Sequence, residues 1–202
     1  MDIVAPDAAG IDRVVELLRA GEVIGFPTDT VYGLAALAGH ERAVRRVFEV
    51  KGRSLSQPLI LMVAEPGQLE GWAVVDDRAR SYMRRWWPGP LTLGLPAPEG
   101  MGPPLTSATR PRTIAARIPD HDVALALLRA AGEPLATTSA NRSGEPPALT
   151  PLEAAWVAGL AAILDGGRAP GAVPSTLLDV SHDEPRVLRP GPVPAEALVS
   201  GG

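Results

Sequence analysis

A chain of 202 residues with 46% hydrophobic and 21% charged residues predicts a globular domain with a sizeable core. No apolar run approaches the roughly 18 residues that cross a bilayer, and residues 1–6 lack the regions of a signal peptide, so we expect a cytoplasmic protein without membrane contact. The formal net charge of −4 argues against a protein that coats nucleic acid, and the absence of cysteine excludes disulfides and thiolate catalysis.

The first half of the chain predicts alternating helices and strands. Apolar spacing predicts a helix over 11–20, which Gly21 ends in a left-handed conformation. A buried strand over 23–26 leads through a hydroxyl-rich turn into an extended segment over 31–34. Lys51 falls just past the last turn of the next predicted helix. The further elements are a helix over 41–50, a strand over 59–63, a helix over 76–87 and a strand over 91–95.

The second half continues this alternation after a long connection. Residues 96–111 are rich in Gly, Pro, Ser and Thr and predict a mobile loop able to close over a ligand. Thr150, Pro151 and Glu153 have the pattern of a capping box, which opens a helix to about residue 160. The remaining predicted elements are a helix over 122–131 and strands over 113–117, 135–138, 162–165, 175–179 and 186–188.

Strands and helices that alternate without a strict βαβ rhythm are typical of an α/β fold. We therefore predict a single domain over 1–202, with a mixed, twisted sheet flanked by helices. No repeat or low-complexity segment suggests another organisation.

Sequence motifs of several common enzyme classes are absent. The chain has no HExxH, no G-x-S-x-G and no P-loop sequence, which argues against zinc proteases, α/β-hydrolases and P-loop enzymes. His40, His121 and His182 each fall in a loop or at a helix start, where we expect structural roles. Trp86 and Trp87 are expected to pack rather than to stack on bases.

The chain does offer cations, hydroxyls and an amide at predicted strand ends and loops. Ligands collect at such edges of α/β sheets, and these groups bind phosphate and carboxylate oxygens. Lys51 is the only lysine among 19 basic residues, although an ammonium and a guanidinium are not equivalent. Taken alone, the segment 51–53 is also typical of a solvent-exposed helix end. The segment 139–141 is likewise typical of a simple turn. The set comprises Thr30, Lys51, Arg53, Thr113, Arg117, Thr137, Ser139, Asn141, Ser175 and Arg189.

Several segments carry a family pattern in order. They are FPTDTVYGL at 26–34, KGR at 51–53 with Pro58 and Leu59, WPGPLT at 87–92, TIAARIPDH at 113–121, TSANRSG at 138–144, and DGG, PST and LRPG at 165–167, 174–176 and 188–191. Together they resemble the YrdC-type threonylcarbamoyl-AMP synthases over about 23–191. The resemblance implies a YrdC-like fold.

The same resemblance implies a role for each member of the set. Thr30, Arg117 and Thr137 would contact L-threonine, with Arg117 as the partner of its carboxylate. Lys51 and Arg53 would be the catalytic cations, and we expect both at an exposed edge of the site. The ATP side would be formed by Lys51, Arg53, Gln57, Thr113, Ser139, Asn141, Ser175 and Arg189.

The activity implied is that of an L-threonylcarbamoyladenylate synthase. Such an enzyme joins L-threonine, bicarbonate and ATP into threonylcarbamoyl-AMP and pyrophosphate. The product would pass to a downstream tRNA threonylcarbamoyl-transferase complex, and weak contact with tRNA itself is left open. Mg²⁺ would be bound mainly through the ATP phosphates, without a protein metal site.

Four positions depart from the family pattern. Ser54 replaces a proline, Gln57 an asparagine, Met62 a histidine and Pro147 a serine. Because Met62 cannot donate a hydrogen bond, one contact to threonine is missing or replaced. The longer branch of the family has a second C-terminal domain, and from the 202-residue sequence we expect a member of the short, single-domain branch.

Two alternative functions stay open. One is a YrdC-like module that binds structured RNA, which the acidic balance of the chain disfavours. The other is a relative of the carbamoyltransferases that form carbamoyl-adenylate, although the zinc-finger and acylphosphatase regions that accompany them are absent here.

Overall fold

The computed structural model describes residues 1–52, 54–55, 57–102, 104–107, 112–142, 144–171 and 173–199. The strands are β1 Asp2–Val4, β2 Ile24–Phe26, β3 Gly33–Leu37, β4 Ile60–Met62, β5 Leu91–Pro96, β6 Thr113–Arg117, β7 Leu135–Ser139, β8 Ala162–Leu164, β9 Thr176–Asp179 and β10 Arg186–Arg189. The helices are α1 Ala8–Arg19, α2 Glu41–Lys51, α3 Asp77–Trp86, α4 Asp122–Ala131, α5 Pro151–Ala154 and α6 Ala195–Val199, with a 3-10 helix at Pro66–Leu69.

The described residues form one ten-stranded sheet in the order β1-β8-β2-β3-β7-β4-β6-β5-β9-β10. Parallel pairs join β1 to β8, β2 to β8, β4 to β6 and β5 to β9. The other neighbours pair antiparallel. The mixed sheet confirms the predicted fold class.

Helices pack on both faces of this sheet. On one face, Val47 and Phe48 of α2 and Met83 of α3 join a buried cluster with alternate side chains of the central strands. On the other face, Leu18 of α1 and Leu128 of α4 do the same. Burying each such side chain contributes roughly 1.5–3 kcal/mol, so the two clusters fix the sheet between its helices.

Local capping signals set the helix ends. Asp7 accepts a hydrogen bond from the Gly10 N–H at 2.8 Å at the start of α1, and Asp76 accepts one from Ala79 at 2.7 Å at the start of α3. These contacts satisfy N–H groups that have no partner within a helix. At the other end of α2, Gly52 takes the left-handed conformation with φ 63°.

The predicted helix over 150–160 is wrong in length. Thr150 caps it as expected, accepting from the Glu153 N–H at 3.1 Å, but the helix ends at Ala154. The N–H of Ala155 bonds to Leu152, three residues back, and Gly159 takes φ 91°. The chain then turns towards β8 instead of continuing as a helix.

Other boundaries also differ from the prediction. Lys51 is the last residue of α2 rather than lying beyond it. The elements β1, α6 and the 3-10 helix have too few residues to show a periodicity in the sequence. Part of the loop predicted over 96–111 lies outside the described residues, and its mobility stays a prediction. Within the described ranges, no helix is long and apolar enough to span a membrane.

We expect Gly52→Ala to lower the free energy of unfolding by about 1 kcal/mol, because an alanine is strained at positive φ. No described atom lies within 4 Å of the added Cβ, so the cost is conformational. Gly67→Ala is the matched control, since Gly67 has an ordinary φ and its nearest atom is 3.9 Å from the added Cβ. Urea unfolding of both variants measures the difference, and equal losses would contradict the explanation.

Candidate functional site

A cavity of about 560 Å³ lies on the sheet face that also carries α1 and α4. Side chains alternate between the two faces of a strand, so residues two apart share a face. Register places Met62 opposite both Arg117 and Leu135, and the Thr137 hydroxyl donates to the Ile60 carbonyl at 2.9 Å. The pairs of alternate residues that line the cavity are Ile60 and Met62, Ala115 and Arg117, and Thr137 and Ser139.

The turn between β2 and β3 forms one wall of the cavity. The buried Thr28 hydroxyl donates to the Val31 carbonyl at 2.6 Å and accepts from the N–H groups of Thr30 and Val31, each at 3.2 Å. One side chain thus replaces the backbone partners that this turn would otherwise lack. Its geometry fixes the position of Thr30, which is 3% exposed.

Arg117 is 2% exposed and lies at the centre of the site. Its Nε donates to the Gly89 carbonyl at 2.8 Å, and its Nη1 donates to the Thr30 hydroxyl at 3.1 Å. Its Nη2 donates to both carboxylate oxygens of Asp29, at 2.5 and 2.6 Å. Burial lowers the pKa of Arg117, while the Asp29 carboxylate opposes that shift. The residue remains a cation because the ordinary arginine pKa is so high.

Lys51 lies behind the cavity wall. Its Nζ donates to the Ser139 carbonyl at 2.6 Å, to the Ser139 hydroxyl at 3.0 Å and to Asn141 Oδ1 at 2.9 Å. The Ser139 hydroxyl in turn donates to Asn141 Oδ1 at 2.6 Å. Lys51 is only 6% exposed, so the expectation of an exposed lysine is wrong. The end of α2 delivers the ammonium to the end of β7, where its charge is solvated by protein oxygens.

A second polar group joins β5, β9 and β10. The hydroxyls of Thr92 and Ser175 lie 2.6 Å apart. Arg189 donates from Nε to the Ser175 carbonyl at 3.0 Å and from Nη2 to the Ser175 hydroxyl at 3.1 Å. Ser175 and Arg189 line the same cavity as Arg117.

Tyr32 closes the site towards the 165–167 segment. Its hydroxyl donates to the Gly167 carbonyl at 2.7 Å and accepts from the Gly166 N–H at 3.1 Å. Burial raises the pKa of this phenol, and the Gly166 hydrogen bond opposes that shift. The neutral hydroxyl therefore holds this loop against the core.

The structure brings most of the predicted site residues together. Gln57 and Met62 lie in the cavity lining with them. Lys51 and Asn141 are outside the described lining and hydrogen-bond with Ser139 instead. Thr113 lies at the start of β6, outside the described lining. Arg53 lies outside the described residues. The predicted residues that line the cavity are Thr30, Gln57, Arg117, Thr137, Ser139, Ser175 and Arg189.

Sequence reasoning missed several residues that hold the site. Thr28 and Asp29 belong to a predicted polar turn, and Tyr32 follows it, yet only their tertiary partners give them roles. Thr92 ends the WPGPLT segment, but nothing in the sequence assigned it a role in the site, which comes from its contact with Ser175. The expected structural role of His40 is confirmed, because its Nδ1 accepts from the Ala43 N–H at 3.3 Å.

The described residues include no cluster of three or more His, Asp or Glu side chains able to hold a metal ion. No carboxylate appears in the described lining of the cavity around Arg117, Ser139 and Ser175, which we call the main cavity.

We expect Lys51→Ala to lower the free energy of unfolding by about 1–3 kcal/mol, because it leaves buried acceptors without their donor. Arg45→Ala is the control: Arg45 lies on the same helix, with its side chain 50% exposed in an ion pair with Glu41, and the loss should be small. Denaturant unfolding of both variants provides the test. A Lys51 variant as stable as the Arg45 variant would contradict a supporting role.

Comparison with known proteins identifies close relatives of this architecture. Residues 16–191 match the family model Sua5/YciO/YrdC, described as telomere recombination. A Bacillus subtilis threonylcarbamoyl-AMP synthase is 43% identical over 195 residues, which are 93% of this chain and 55% of that protein. A putative threonylcarbamoyl-AMP synthase of Mycobacterium tuberculosis H37Rv is 38% identical over 94% of this chain and 87% of its own length.

Solved structures agree with these sequence matches. P. abyssi Sua5 complexed with L-threonine superposes with a TM-score of 0.91 at 37% identity, over 98% of this chain and 60% of that one. The present chain thus spans little more than half the length of the B. subtilis relative and three-fifths of Sua5.

Proposed function

The chain belongs to the Sua5/YciO/YrdC family, and from this premise we propose that it is an L-threonylcarbamoyladenylate synthase. The reaction would join L-threonine, bicarbonate and MgATP into threonylcarbamoyl-AMP and pyrophosphate, for threonylcarbamoyladenosine modification of tRNA. The observation that carries the proposal is one cavity that contains both a buried, oriented arginine, Arg117, and a hydroxyl and guanidinium pair, Ser175 and Arg189. Such a cavity suits two anionic substrates.

The amino-acid part of the cavity would surround Arg117. A guanidinium binds a carboxylate through directed hydrogen bonds, and burial strengthens that interaction. The Thr30 and Thr137 hydroxyls lie in the same lining and can bond polar atoms of the substrate. The side chains of Ile60, Met62 and Ala115 add an apolar wall, against which the methyl group of threonine can pack.

The nucleotide part would use the remaining polar lining. Arg189 and the hydroxyls of Ser139 and Ser175 can bind phosphate oxygens, and Gln57 offers an amide. Lys51 and Asn141 would act mainly by holding Ser139 in place. Mg²⁺ would come with the nucleotide as part of the substrate, ligated by phosphate oxygens and water.

The chemistry proposed needs no protein nucleophile. The threonine amine attacks the carbon of bicarbonate, with loss of water, or that of carbon dioxide derived from it, with loss of a proton, and gives a carbamate. A carbamate oxygen then attacks the α-phosphorus of ATP and expels pyrophosphate. Cations and hydroxyls with fixed positions can align these partners and stabilise negative charge that develops on phosphate. Arg117 and Arg189, whose guanidinium groups are held by hydrogen bonds within the cavity, meet that requirement.

The two alternative functions receive less support. A surface that binds structured RNA exposes its cations to the phosphate backbone, whereas Arg117 and Lys51 are buried. A carbamoyl-adenylate activity would need carbamoyl phosphate as substrate. The relatives with the highest identity reported above carry the synthase name instead.

Mass spectrometry of the purified protein with ATP, magnesium, carbon-13 bicarbonate and L-threonine tests the proposal. We expect a threonylcarbamoyl-AMP that carries the isotope, together with pyrophosphate release that requires threonine. Carbamoyl phosphate replaces threonine and bicarbonate in a parallel reaction. Carbamoyl-AMP from that reaction alone, or pyrophosphate release that ignores threonine, would overturn the assignment.

We expect Arg189→Ala to raise the KM for ATP by about 10- to 100-fold, which corresponds to loss of a hydrogen bond to a charged group. The KM for threonine should change far less. Arg186→Ala is the matched control, because Arg186 lies on the same strand but is exposed and outside the described lining. Steady-state kinetics on both variants measure the KM values for ATP and for threonine. Equal increases in the two KM values for Arg189→Ala would contradict a role of Arg189 in ATP binding.

We expect threonine to be preferred over serine by at least ~10-fold in kcat/KM, the usual value of one methyl group in an apolar pocket. Met62→Ala should reduce this ratio, since it removes part of the apolar wall while leaving Arg117 in place. Competition between the two amino acids, with both adducts measured in one reaction, gives the ratio directly. An unchanged ratio in the variant would exclude Met62 from methyl recognition.

A further inference from the structure

Asp29 lies between two cavities. Its carboxylate accepts from Arg117, which lines the main cavity, while Asp29 itself lines a second cavity of about 560 Å³ together with Asp120 and Gly171. The side chain of Asp29 is 12% exposed and that of Arg117 is 2% exposed. The pair thus forms a partition, with the carboxylate on one side and the guanidinium on the other.

The partners of the guanidinium fix its plane. Nε is held by the Gly89 carbonyl, Nη2 by Asp29, and one proton of Nη1 by the Thr30 hydroxyl. A guanidinium has five N–H protons, of which Nη1 carries two. The second Nη1 proton therefore has no acceptor among the described residues, although the side chain is almost wholly buried and lines the main cavity.

From this geometry we propose that Asp29 is a positioning residue for amino-acid recognition, a role that rests on the proposed function. Asp29 binds Nη2 from the second cavity, and this orientation presents Nη1 to the substrate carboxylate in the first. The carboxylate of Asp29 does not touch the substrate in this arrangement. It acts through Arg117, and its negative charge also keeps the buried cation paired when no amino acid is bound.

A charge-neutralising role alone would have different consequences. Any nearby anion can lower the cost of a buried cation, whereas only a partner with fixed geometry selects which nitrogen faces the ligand. Thr28 restrains Asp29 from the preceding position, because its hydroxyl binds the N–H groups of Thr30 and Val31 and so sets the turn. Asp29 is thereby placed by the backbone as well as by the ion pair.

Asp29→Asn should raise the KM for L-threonine by about 10- to 100-fold and leave the KM for ATP within about 3-fold, since a misplaced binding group weakens the one substrate it touches. Asp29→Glu, which keeps the carboxylate, should restore most of the loss. Asp120→Asn is the matched control, because Asp120 lines the same second cavity and has no described contact with Arg117. Its KM values should equal those of the wild type.

A second pair of variants tests whether the effect passes through Arg117. Lysine at position 117 has no fork to orient, so Asp29→Asn added to Arg117→Lys should change the KM for L-threonine by less than ~2-fold further. Calorimetric titration with L-threonine in the absence of ATP provides a readout apart from turnover. Thermal unfolding of each variant identifies losses that come from stability alone.

Three results would overturn the inference. They are an unchanged KM for L-threonine in Asp29→Asn, equal increases for both substrates, and an Asp29→Glu variant that is folded but as impaired as Asp29→Asn. If Asp29→Asn fails to fold, Asp29→Glu replaces it. The KM for L-threonine of Asp29→Glu is then compared with that of the wild type, and the same change is measured in the Arg117→Lys background. An inactive wild-type protein would overturn the proposed function and this inference together, whereas an active one isolates Asp29.

Discussion

The buried charge of Arg117 constrains the rest of this structure. A guanidinium that is 2% exposed must find protein partners, because an unpaired buried ion costs several kcal/mol. Its partners come from the turn after β2 and from the corner after α3, separated from Arg117 by 88 and 28 residues. Satisfying one side chain therefore fixes β6, the turn and the corner relative to one another, and the main cavity lies where they meet.

Strand alternation explains how a polar site exists within a well-packed sheet. Ile114 and Ala116 of β6 point into the cluster under α2 and α3, whereas Ala115 and Arg117 face the cavity. Met62 serves both functions, since it packs in the cluster with α1 and α4 and also lines the cavity. The same strands thus stabilise the fold mainly with one set of alternate residues and build the site mainly with the other, and Met62 belongs to both.

The sequence was most informative where structure depends on local chemistry. The bounds predicted for β6 and α4 are those observed, because turn residues and apolar periodicity specify both elements. Prediction failed for α5, which ends at Ala154 as the Ala155 N–H bonds to Leu152, three residues back, ahead of the turn into β8. Asp29 was missed for a related reason: a carboxylate in a polar turn looks solvated until the fold brings Arg117 to it from 88 residues away.

Lys51 shows why a chain that otherwise uses arginine keeps one lysine. Its Nζ lies within 3.0 Å of three acceptors, the carbonyl and hydroxyl of Ser139 and the Oδ1 atom of Asn141. An ammonium directs its three protons from a single atom and can meet three convergent acceptors, whereas a guanidinium distributes its donors around a plane. Arginine at this position would be too wide and would point its donors in the wrong directions. The two buried cations are thus chemically matched to their surroundings, with the compact charge tying loops together and the planar one placed to orient a ligand.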